Sequence, residues 1–129
     1  MNKTMSHQVT IQTKFRDPRA LALACTELGL MLSENDQQRT YSGKQKAELV
    51  LKCKGLYDIG ANKGADGNYI LTTDWWGGHV EKEVGKNFGK LVQAYGVNKA
   101  TIEAKKKGYF VTRTVNTQGQ PRLVITGVK

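Results

Sequence analysis

Histidine, cysteine and proline are each nearly absent from this chain, with two of each in 129 residues. His7 and His79 are too few for a histidine-rich metal site, and no paired metal-ligand spacing occurs. No Gly-x-Ser-x-Gly elbow presents a nucleophile. Cys25 and Cys53 cannot staple a secreted mini-domain. One falls on an apolar helix face and the other on an apolar strand face, so both read as reduced core residues of a reducing, cytoplasmic-type compartment. Apolar runs long enough to cross a bilayer (roughly 18 residues) are missing. The first thirteen residues alternate polar and apolar, unlike the core of a signal peptide. These gaps leave little room for catalysis or a cofactor: an enzyme is not expected, and no cofactor is implied. Asp58, Asp66, Asp74 and His79 are acid–base candidates by chemistry alone, and aspartates in turns and at strand ends are usually structural.

Positive charge is plentiful. The formal net charge is +9. Residues 1–43 hold five basic and four acidic side chains, whereas residues 44–129 hold fifteen and seven. A field of this sign attracts nucleic acid, nucleotides or acidic protein surfaces. Lysines that merely keep a small domain soluble are the plainer explanation.

A chain of this length suits one domain with a core that needs no metal or disulfide. His7–Phe15 alternates strictly, the mark of a strand with one buried face. Asp17-Pro18 is a helix cap with proline at the first position, and Leu21, Ala24, Cys25 and Leu28 follow at helical spacing up to Gly29. Residues 33–46 are polar and read as a loop, with a short strand around Arg39–Tyr41 as an option. Ala47–Cys53 alternates as a strand. Tyr57–Gly60 looks like another, paired with Tyr69–Thr73 across the turn Gly64–Gly67. Val84, Phe88, Leu91, Val92 and Tyr95 make a helical stripe containing Gly85 and Gly89. Asn98 is placed to cap a further short helix ending at Gly108, and Tyr109–Val115 with Arg122–Val128 forms a closing hairpin. The expected fold is α+β: one domain over residues 1–129, with residues 1–6 flexible. A mostly antiparallel sheet carries helices on one face, in the order β-α-(β)-β-β-β-α-α-β-β.

Several of these stretches together resemble a family of conserved hypothetical proteins. It occurs in cyanobacteria and as an open reading frame of algal plastid genomes, with scattered bacterial relatives and a phage link left open. The shared features are Met5-Ser6-His7 opening a strand, Thr13–Leu30, Tyr57-Asp58-Ile59-Gly60 and Asn68–Asp74 before tryptophan. Leu91, Tyr95, Ile102, Lys107-Gly108-Tyr109 and Arg122–Ile125 continue the pattern. The resemblance implies a domain of unknown function with no catalytic residues to carry over. Plastid stroma or the cytoplasm of a phage-infected host is compatible with it. The strong basicity and the four residues before Met5 depart from the family pattern.

Trp75-Trp76-Gly77-Gly78-His79 is the most unusual segment. Neighbouring strand residues point to opposite faces, so one tryptophan is expected to be partly exposed, where it could stack on a base or ligand ring. A hydrophobic clamp at the sheet's end is the competing explanation. Gly60–Gly67 has the composition of a phosphate loop but lacks the Gly-x-x-x-x-Gly-Lys spacing and a following helix, so a hairpin turn fits it better. Three basic sets remain: Lys44, Lys46, Lys52 and Lys54; Lys99 and Lys105, Lys106 and Lys107; Arg113 and Arg122. A sheet face with Gln8, Thr10, Gln12, Lys14, Lys52 and Lys54 could take single-stranded nucleic acid if left uncovered. The ribonucleoprotein pattern of stacking aromatics with flanking basic residues is nevertheless absent, so general anion binding is better supported than specific RNA recognition. The candidate binding residues are thus Trp75, Trp76, His79, Lys52, Lys54, Lys105, Lys106, Lys107, Arg113 and Arg122. The expected activity is non-catalytic binding of nucleic acid or a nucleotide-like anion. The alternative is a structural or adaptor protein that forms a homo-oligomer or docks on an acidic partner. No membrane is involved in either.

Overall fold

A computed structural model describes residues 8–128. The opening alternation forms β1 (Gln8–Gln12), with Val9 and Ile11 packed against the core and Gln8, Thr10 and Gln12 exposed. His7 and the segment 1–6 lie outside the described residues. Asp17 caps α1 (Pro18–Leu28), its carboxylate accepting from the Arg19 N–H at 2.9 Å and the Ala20 N–H at 3.4 Å. Such a cap is worth about 1 kcal/mol. Gly29 ends the helix at φ +78°, the left-handed conformation that glycine adopts without a Cβ penalty.

The polar stretch read as a loop is regular strand. β2 (Met31–Thr40) and β3 (Gly43–Lys52) pair around a two-residue turn, Tyr41-Ser42, with a break in the ladder at Asn35, whose φ is +48°. Alternation is missing there because β2 is an edge strand in which only Gln38 is fully buried, and Gly43–Lys46 extend beyond the core into solvent. β4 (Ile59–Lys63) and β5 (Tyr69–Asp74) form the expected hairpin, although Tyr57 and Asp58 precede the strand rather than starting it. The sheet is antiparallel with order β1-β5-β4-β3-β2.

The helical region also breaks in a different place. A one-turn 3₁₀ helix at Trp76–Gly78 leads into α2 (His79–Val84), and another at Lys86–Phe88 leads into α3 (Gly89–Lys106). Gly85 at φ +85° interrupts the stripe, so Val84 and Phe88 do not belong to the helix of Leu91 and Tyr95. Asn98 caps nothing. It sits mid-helix, its side-chain amide donating to the Ala94 carbonyl at 2.8 Å. Val92 is 48% exposed and not part of the buried face.

The core lies between the sheet and the helices, around Leu21, Leu51, Ile59, Leu71 and Leu91, all fully buried. Each contributes about 2 kcal/mol relative to exposure. Tyr95 joins α3 to the start of α1: its ring packs on Phe15 at 4.3 Å, and its hydroxyl accepts from the N–H groups of Arg16 and Asp17 at 2.9 and 3.0 Å. The chain ends in a separate hairpin of β6 (Tyr109–Val115) and β7 (Pro121–Val128), packed beside α3.

The Tyr57-Asp58-Ile59-Gly60 motif is a structural clamp. The end of β2 curls back over the sheet so that the Arg39 carbonyl accepts from the Asp58 N–H at 3.0 Å. Buried Asp58 accepts in return from the Arg39 guanidinium at 2.7 and 3.0 Å and from the N–H groups of Arg39 and Cys53. Burial pushes the Asp58 carboxyl up, but these hydrogen bonds outweigh it and hold it below its ordinary value. Gly60 leaves the space that Gln38 fills while donating to the Thr72 carbonyl at 3.0 Å; a Cβ at Gly60 would overlap that side chain.

Candidate anion-binding groove

The basic residues do not gather into one continuous face. Lys52 is paired with Asp36 at 2.8 Å. Lys54 is exposed beside the end of α1, close to Gly29. The polar residues of β1 are separated from Lys52 by β5 and β4, so the expected nucleic-acid face of β1 and β3 is not one strip. The tryptophan pair lies beyond the end of β5, not in a strand, and its two rings part at the turn into the one-turn 3₁₀ helix. Trp75 turns inward and stacks on Phe88 with ring centroids 4.8 Å apart, while Trp76 stays 39% exposed. His79 meets the Tyr57 ring edge-on at 6.0 Å. In the same helix, Glu83 accepts from the Lys54 and Gly55 N–H groups at 2.8 and 3.0 Å. Packing therefore occupies much of this segment.

Charge does converge between α1 and α3. Arg19 and Leu23 stand one turn apart on α1, and Asn98, Thr101, Ile102 and Lys105 recur at i, i+3, i+4 and i+7 on α3. With Lys106 they line a groove of about 400 Å³. Its lining contains three cations, a hydroxyl and an amide, and no carboxylate among the described residues. The Thr101 hydroxyl donates to the Val97 carbonyl at 2.8 Å, which leaves its oxygen as an acceptor. Lys106 has only a long contact with exposed Glu103, at 3.7 Å.

Beside the groove, Glu27 ties three elements together. It accepts from Asn98 at 2.7 Å and from both arms of the Arg113 guanidinium, at 2.7 and 2.8 Å. The Arg113 bonds hold the Glu27 carboxyl below its ordinary value against the upward push of burial. Arg113 is thereby engaged in positioning the hairpin. Lys107 and Arg122 are exposed near the end of α3 and on β7, outside the groove lining. Of the candidate residues, only Lys105 and Lys106 enter the groove.

Arg19 and Thr101 do not stand out in the sequence, and Asn98 does so only as a helix cap. Their helical spacing was available, but their common groove depends on how α1 packs on α3. A larger cleft of about 680 Å³ lies between β1 and α3, lined by Ile11, Phe15, Val92, Tyr95, Gly96 and Ala100, with Lys14, Lys99 and Asp66. Its charges largely cancel, since Lys99 is held by Asp17 at 3.3 Å and Glu103 at 2.9 Å.

A small α+β domain with a basic interhelical groove is the class that fold and site define. Residues 24–124 match the family described as "Protein of unknown function (DUF1257)", and the chain belongs to that family. No curated protein and no solved structure matches the chain. No helix of the described residues is long and apolar enough to cross a membrane.

Proposed function

We propose that this protein is a non-catalytic binding module that receives an anionic partner, nucleic acid or a nucleotide-like ligand, in the groove between α1 and α3. The observation that carries this reading is the convergence of Arg19, Lys105 and Lys106 on one lining without a carboxylate. Ionised donors form the stronger class of hydrogen bond to phosphate, and the groove volume lies in the usual range for ligand sites, about 300–1,000 Å³. Lys105 and Lys106 also occupy the last turn of α3, where cations relieve the partial negative charge of the helix end. A reducing cytoplasm or plastid stroma and the cyanobacterial and plastid branch of relatives belong to the same proposal.

Heparin chromatography and fluorescence anisotropy at two salt concentrations test it. The wild type is retained on heparin, and the Arg19→Ala/Lys105→Ala/Lys106→Ala variant elutes earlier. Three lost phosphate contacts lower the log–log salt slope for a single strand by about 2. Equal retention of variant and wild type sinks the reading. A second reading, a self-associating or acidic-partner adaptor, draws on the exposed apolar residues of the terminal hairpin. Light scattering after size exclusion distinguishes an oligomer from a monomer.

A further inference from the structure

The terminal hairpin is an unusual place to find exposed apolar side chains. A two-stranded sheet alone is marginal in water, yet Phe110 is 64% exposed and Val124 is 42% exposed. The strand register sorts its two faces. Phe110 opposes Thr126, Thr112 opposes Val124, and Thr114 opposes Arg122, so these six side chains share one face. Arg113, on the other face, reaches Glu27 of α1. The face with Phe110 therefore points away from that contact. It holds one aromatic ring, one aliphatic side chain, three hydroxyls and one cation.

Charge sets the kind of occupant. After Glu103 the sequence contains no further Asp or Glu, while Lys105, Lys106, Lys107, Arg113, Arg122 and Lys129 all follow. Phe110 is four positions after Lys106, so their Cα atoms lie within about 14 Å. Net positive charge works against a second copy of so basic a protein. A standard protein interface covers about 800 Å² on each side around an apolar core. A face with one aromatic and one valine does not supply it. An aromatic ring open to solvent beside a run of lysines suits a polyanion whose rings are free to stack, which a base-paired duplex does not offer.

We propose that the partner is a single-stranded nucleic acid, with a base stacked on Phe110 and its phosphates running along Arg19, Lys105 and Lys106. This inference rests on the groove reading and adds the ring, the strandedness and the ribbon as a second contact. Hydroxyls of Thr112, Thr114 and Thr126 are available to sugar and base edges on the same face. Binding is tolerant of sequence, because every base has a face to stack.

The experiment measures anisotropy of a labelled single strand of about 15 nucleotides, a length that covers one binding site of this class. Phe110→Ala weakens binding about tenfold, the loss typical of one base–aromatic stack, and Phe110→Tyr retains it. Retention of Phe110→Ala on heparin is unchanged, because the cations remain. A duplex of the same sequence binds more weakly than the single strand. Wild-type affinity in Phe110→Ala, or equal affinity for duplex and single strand, overturns this inference and leaves the groove reading standing. Unchanged heparin retention in the Arg19/Lys105/Lys106 variant overturns the groove reading itself, and a wild type that binds neither strand nor heparin overturns both.

Discussion

The Arg113 guanidinium on β6 places two N–H groups on the two carboxylate oxygens of Glu27 in α1, at 2.7 and 2.8 Å, and so fixes the terminal hairpin against the helical layer. The pair is partly exposed, with side-chain accessibilities of 42% and 31%. Solvent screening therefore limits its worth to about 0.5 kcal/mol despite its geometry. Glu27→Gln is expected to lower global stability by about that amount and to raise amide exchange across residues 109–128 much more than in the central sheet. Hydrogen-exchange mass spectrometry with a urea titration measures both. Uniformly increased exchange would show that the hairpin is held by something else.

Buried Asp58 makes the fold sensitive to acid. Its folded-state pKa lies below the ordinary aspartate value of 3.8, so its contribution is fully present above that value and disappears as pH falls through the folded pKa. Asp58→Asn removes the charge that faces Arg39 and is expected to cost about 3 kcal/mol near neutrality, the low end for breaking a buried pair, because Arg39 is partly solvated. The difference between variant and wild type narrows below pH 4. Denaturant titrations at pH 7 and pH 3 check the sign. A difference that grows on acidification contradicts the account.

Gly60→Ala forces a methyl group onto the Gln38 side chain. Overpacking of this kind costs about 1–3 kcal/mol. Gln38→Ala alone leaves a cavity and a lost bond to the Thr72 carbonyl. The double variant is expected to be less destabilised than the sum of the singles, since each change relieves the defect of the other. A double-mutant cycle in guanidinium gives the coupling energy, and strict additivity would remove the steric argument.

Burial pushes the Cys25 thiol up to about 12, and burial, helped by the charges of Glu83 and Asp58, does the same for Cys53. At pH 8 the reactive thiolate is then on the order of one part in ten thousand. Native protein is expected to resist alkylation by iodoacetamide, and both thiols should react promptly in urea. Rapid labelling of the folded protein would place at least one thiol in a far more accessible setting.

The legible parts of this fold are those in which one face of an element is buried and its ends are chemically marked. β1 alternates, Asp17-Pro18 and Gly29 bracket α1, and the Gly64–Gly67 turn separates two strands with apolar residues. β2 was illegible for a physical reason: its partners are backbone groups and the clamp of Arg39 and Asp58, not an alternating apolar row. The α2–α3 break was hidden because Val84, Phe88 and Leu91 keep helical spacing across it, and only the positive φ angles of Gly85, Asn87 and Phe88 separate them. The groove was half visible. Lys105 and Lys106 stand out as charge, but Arg19 gains meaning only from tertiary packing. Phe110 read as an ordinary strand residue because exposure is not encoded in the alternation of an isolated hairpin.

The pairing of β1 with β5 has a kinetic consequence. Every other strand contact joins neighbours along the chain, whereas this one brings Gln12 to Ile70 and Gln8 to Asp74. Closing so long a loop costs entropy before any contact is formed, and contacts of that range slow folding. The four pairings of consecutive strands can assemble locally. β1 is then the last strand to dock, completing the sheet only after β5 is in place.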